Sequence, residues 1–94
     1  MQYIFVGKEK YGRLVYLTKE RYQHIMLHPE MQNKLEYIEQ TLKDPVLIEE
    51  SCTDEKVKYY YRYDKEHKEY LRVIVKYLNG KGFIITAYFV EKRQ

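Results

Sequence analysis

Ninety-four residues are enough for one small hydrophobic core, and a net charge of +3 with 33% charged residues describes a mildly basic globule that admits nucleic acid as a partner without requiring it. No apolar run approaches the roughly 20 residues of a membrane helix, and no basic-then-apolar leader opens the chain. The single cysteine, Cys52, excludes an internal disulfide, which fits a reducing, cytoplasmic setting.

In chain order, "YIFV" (3–6) and "RLVYL" (13–17) flank "GKEKYG" and predict an N-terminal β-hairpin. Thr18 offers a helix N-cap, followed by Tyr22, Ile25 and Met26 at helical spacing, with Arg21, His24 and His28 on a neighbouring stripe. Pro29 predicts a break and a restart. Met31, Leu35, Ile38 and Leu42 then repeat as one face of a second helix, which Asp44-Pro45 ends. The remainder reads as β: "VLIEE" (46–50), "VKYYYRY" (57–63), "YLRVIVKYL" (70–78) and "FIITAYFV" (83–90). Asn79-Gly80 is a hairpin signal, since both central residues of a type I′ turn need positive φ. The last three strands form an antiparallel meander that "VLIEE" extends to four, and nothing divides the chain, so residues 1–94 read as one domain.

Strict alternation sorts the side chains into two faces. Val57, Tyr59, Tyr61, Leu71, Val73, Val75, Phe83, Ile85 and Ala87 make the expected core face. Lys58, Tyr60, Arg62, Tyr70, Arg72, Ile74, Lys76, Ile84, Thr86 and Tyr88 make the outer face, which carries no acid.

Three constellations follow. His24 and His28, four residues apart, share a helix face. As metal ligands they lack a glutamate between them, and neither His67 nor Cys52 completes a set, so no metal or cofactor is expected. They are otherwise structural histidines near helix ends, or an acid and a base working near neutral pH. On the outer face Tyr60 and Tyr88 suit base stacking, with Lys58 and Arg72 as cations beside them. Metal-free RNA cleavage needs proton transfer and cations on the phosphate, types that histidine, Arg62, Lys76 and the hydroxyl of Thr86 supply. Cys52, in a polar loop after two acids, is not placed as a nucleophile.

In order, "LTKERYQHIMLHPEM", "LKDPVLIEES", "KYYYRYD", "YLRVIVKY" and "GFIITAYFVEKR" resemble the phage barnase-like nucleases grouped with EndoU, colicin-type and RelE-like toxins (the BECR fold), over about residues 14–93. The resemblance implies an α+β fold, with the helices packed on one face of a four-stranded antiparallel sheet and the other face serving RNA. It also implies a metal-independent endoribonuclease acting by 2′-hydroxyl transesterification, as a toxin held by an antitoxin or immunity protein. By position it carries catalytic roles to His24, His28, Arg62, Lys76 and Thr86. Two other readings use the same surface: a non-catalytic nucleic-acid-binding module, and a protein-interaction domain with tyrosines at its interface.

Overall fold

Asn79 and Gly80 take φ of 54° and 79°, the left-handed pair a two-residue turn demands, and join β5 (Glu69–Leu78) to β6 (Lys81–Val90). The computed structural model describes residues 2–91; the last two residues of the stretch that carries the family resemblance lie outside them. β4 (Val57–Asp64) pairs antiparallel with β5, and β3 (Leu47–Glu50) antiparallel with β4.

The expected four-stranded antiparallel sheet is corrected at the other side of β6. β1 (Tyr3–Lys8) and β2 (Leu14–Thr18) pair antiparallel, but they are part of the main sheet: β2 lies parallel to β6, with Val15 opposite Gly82 and Tyr16 opposite Phe83. The result is one mixed six-stranded sheet in the order β1-β2-β6-β5-β4-β3. An isolated hairpin is marginal in water, and Val15 and Leu17 become wholly buried only by joining. Gly82 makes room for side chains of β5: a Cβ there would stand 2.8 Å from both the Tyr77 ring and Val75.

Thr18 ends β2 and caps α1 (Lys19–Ile25), its Oγ1 accepting the Arg21 N–H at 3.2 Å. Pro29 opens a single 3₁₀ turn, Pro29–Met31. Asn33, at φ 63°, redirects the chain into α2, which starts at Leu35 and runs to Lys43. The apolar repeat noted from Met31 therefore spans two elements, and Met31, Ile38 and Leu42 still point into one core with Ile25.

All of these helical residues cover one face of the sheet, against Val15, Leu17, Tyr60, Leu71, Val73, Val75, Ile84 and Ala87. Two assignments of facing change as a consequence. Tyr60 lies opposite Val73 and Arg62 opposite Leu71, so the even residues of β4 turn towards the helices, while Val57, Tyr59 and Tyr61 turn away. In β6, Val75 pairs with Ile84 but Ile74 pairs with Thr86. Ile85 is the extra residue of a bulge, which reverses the alternation there and sends Ile84 inward and Phe83 outward.

Candidate nucleic-acid interface

The face away from the helices is paved with aromatic rings. Reading across strands, Tyr88, Arg72, Tyr61 and Leu47 form one row, and Thr86, Ile74, Tyr59 and Glu49 the next. Tyr63 and Tyr70 stand side by side, rings edge-on at 5.2 Å. A second group spans β1, β2 and β6: Tyr3 meets Tyr16 at 4.9 Å, and Tyr16 stacks on Phe83 at 5.4 Å with Lys81 above it. Cross-strand aromatic pairs stabilise a sheet by a few tenths to about 1 kcal/mol each. Here they also leave ring surface in reach of solvent, most at Tyr3 (43% exposed) and Tyr63 (45%).

Arg72 is the centre of this face. Its Nε donates to the Tyr61 hydroxyl and its Nη1 to the Tyr88 hydroxyl, both at 3.0 Å, and the guanidinium lies 5.2–5.6 Å from the ring centres of Tyr59, Tyr61 and Tyr88. Among the described residues no carboxylate forms an ion pair with it. Burial works against its charge, but the Tyr88 and Tyr61 oxygens outweigh that, and its pKa is raised. Tyr61 is buried beneath it. Burial first, and then Glu49, push the Tyr61 hydroxyl up, while Arg72 pulls it down. Glu49 is the one acid that strand alternation puts on this face among the described residues. Asp54 reaches its rim and binds Lys76 at 3.3 Å.

The residues singled out in the sequence divide between the two sides. Arg72, Lys76, Thr86 and Tyr88 are on the open face. Tyr60, Arg62 and Lys58 are not, and the expectation that these seven share one surface is corrected. Arg62 Nη1 donates to the Asp44 carbonyl (2.8 Å) and carboxylate (3.0 Å), so the side chain closes the carboxy-terminal end of α2. Lys58 is paired with Glu50 across β3 and β4. Tyr60 is wholly buried and donates to Glu9 Oε2 at 2.9 Å. Arg13 also bonds both Glu9 and Tyr60.

His24 lies in the last turn of α1 and His28 precedes the 3₁₀ turn; both are exposed, and neither side chain has a hydrogen-bond or ion-pair partner among the described residues. One contact links their helix to the open face: Arg21 Nη1 donates to the carbonyl of bulged Ile85 at 3.4 Å. Helix neighbours three apart lie about 5–6 Å from one another at Cβ, so His24 shares the exposed stripe of α1 with Arg21.

Sequence alternation missed Tyr59 and Phe83, which it placed in the core, Lys81, which it left in the turn before the last strand, and Tyr3 and Tyr16, which lie on strands it kept apart from the sheet. Among the described residues no three His, Cys, Asp or Glu side chains cluster as a metal site would require, and no helix is long and apolar enough to cross a membrane. The chain matches no family model, and comparison with curated proteins and with solved structures finds no match.

Proposed function

We propose that this protein binds single-stranded RNA across its helix-free sheet face. One observation carries the reading: Arg72, without a carboxylate partner among the described residues, is held by neutral phenol oxygens amid the rings of Tyr59, Tyr61 and Tyr88. A guanidinium held this way keeps its charge for a phosphate, while the half-buried rings of Tyr59 and Tyr88 beside it offer flat surfaces to bases at about 1–3 kcal/mol per stacked base. Lys81 adds charge beside the Tyr3–Tyr16–Phe83 group, and Lys76, in its ion pair with Asp54, lies between that group and the cluster. RNA is preferred over DNA because the chain resembles the barnase, EndoU, colicin and RelE-like nucleases.

A second reading, metal-independent cleavage of the held strand, is favoured by His24, exposed and without a side-chain partner among the described residues, on the helix whose Arg21 reaches the Ile85 carbonyl one residue before Thr86. In that reaction the 2′-oxygen loses its proton and attacks phosphorus. The bond to the 5′-oxygen breaks, leaving a 2′,3′-cyclic phosphate, and the departing oxygen takes up a proton. His24 is the group suited to move a proton there, Arg72 and Lys76 hold the phosphate, and Arg62 has no part. A cutting protein of this kind would need an inhibitor partner.

The test is fluorescence anisotropy with a labelled mixed-sequence single-stranded RNA in EDTA, followed by a denaturing gel. Binding that weakens with salt, and at least about tenfold in Arg72→Gln, is expected. Cyclic-phosphate products that disappear in His24→Ala would establish the second reading; bound but intact RNA would restrict the protein to the first. Absence of binding at low salt would overturn both.

A further inference from the structure

β2 leaves the sheet at Thr18 while β6 runs on, and the corner between them holds a cavity of about 360 Å³. Leu78, Phe83 and Ile85 supply apolar walls, and Thr18, Glu20 and Arg21 stand on its polar side. That size lies at the lower end of the roughly 300–1,000 Å³ of small-ligand sites, and the mixture of apolar wall and few polar groups is their usual make-up. Phe83 belongs to the cavity and, through its stacking on Tyr16, to the open face, so a strand lying on that face passes the entrance.

The polar groups are not equivalent. Thr18 Oγ1 is occupied by the Arg21 N–H, and Arg21 by the Ile85 carbonyl. The Glu20 carboxylate has neither a hydrogen bond nor an ion pair among the described residues. It is an exposed acceptor that no donor of the described residues occupies, lining the same cavity as the apolar walls.

We propose that this cavity takes one unstacked nucleobase of the bound strand, with Glu20 accepting from N–H groups on the base edge; the inference rests on the open face being the RNA surface. The flat faces of a base match the apolar walls, and single-stranded RNA is read by splaying bases out and bonding their edges. A carboxylate only accepts. Adenine, cytosine and guanine each present an exocyclic amino group, whereas uracil offers a single N–H between two carbonyl oxygens that repel Glu20. The cavity therefore selects against uracil on a face that is otherwise sequence-tolerant.

Anisotropy titrations would compare a short labelled oligouridine with the same oligomer carrying one central adenine, cytosine or guanine. A single replacement is expected to tighten binding about fivefold or more. Glu20→Gln, which can donate to the uracil oxygens that the carboxylate repels, should reduce that preference to below about twofold, chiefly by tightening oligouridine binding. Leu78→Trp, filling the slot from an exposed position, should abolish it in a protein that melts normally. Equal affinity for all four oligomers, with oligouridine still bound in a salt-dependent way, would overturn the pocket and leave the face intact, as would a preference undiminished in Glu20→Gln. Loss of binding to every oligomer would remove the face and the pocket together.

Discussion

Tyr60 gives its one proton to Glu9, so in the 2.6 Å contact between phenols Tyr77 is the donor. The side chain is consumed inside the molecule. Glu9 is buried, and burial alone would raise its pKa. The Arg13 N–H and guanidinium, the Tyr60 hydroxyl and the Tyr11 N–H together outweigh that, and the folded-state value lies below the ordinary one. A carboxylate depressed by folding stabilises the protein above its unfolded pKa, and that contribution is lost as pH falls through the folded value. Urea unfolding of the wild type should therefore weaken between about pH 5 and pH 3, with a flatter acid limb in Glu9→Gln; parallel limbs would show that Glu9 is not the group responsible. Tyr60→Phe, which leaves a buried acceptor short of a donor, should cost about 1–3 kcal/mol at neutral pH without lowering RNA affinity. Arg72 is the opposite case: its partners are neutral hydroxyls, and its charge remains to be used.

Whether such a residue faces inward depends on register, and register was only half legible in the sequence. Asn79-Gly80 fixes Leu78 opposite Lys81, and hence Lys76 opposite Phe83. From that end Phe83 must share a face with the even residues of β5. Ala87 and Val73, both wholly buried, require the other parity at the far end, and a one-residue bulge at Ile85 is what reconciles them. Applying one parity throughout put Phe83 and Ile85 in the core. β4 was ambiguous for another reason: Val57, Tyr59, Tyr61 and Tyr63 look as buriable as Tyr60 does, and only pairing with β5 decides. The helices were easier to read because Thr18, Pro29 and Asp44-Pro45 act locally, although Asn33 delays α2 to Leu35. The parallel β2–β6 contact left no local mark; Gly82, which pairs with Val15 there, reads as an ordinary strand glycine until Tyr77 and Val75 of β5 are seen against it. Gly82→Ala should cost about 1–3 kcal/mol in urea unfolding, because stiff Val75 must move. A neutral substitution would show that the corner packs more loosely.

Across the whole molecule the sheet divides its labour. One face buries Tyr60, Val73, Val75 and Ala87 beneath two short helices. The other leaves most of its rings and Arg72 without a carboxylate over them, and among the described residues its acids reduce to Glu49 with Asp54 at the rim, although the chain as a whole is nearly balanced in charge. An α+β architecture with helices on a sheet was readable from periodicity; six mixed strands were not, because joining β2 to β6 spans most of the chain. The candidate site follows the same division. Arg72, Lys76, Thr86 and Tyr88 were placed on the correct side, and Lys58, Tyr60 and Arg62 were exchanged for Tyr59, Phe83 and Tyr16. The most direct test compares two double variants for affinity to one labelled single-stranded RNA, with folding checked by circular dichroism. Tyr59→Ala/Tyr88→Ala on the open face should lose at least about tenfold, whereas Lys58→Ala/Arg62→Ala on the helix side should stay within about twofold of wild type. The reverse order would contradict an RNA surface on the helix-free face.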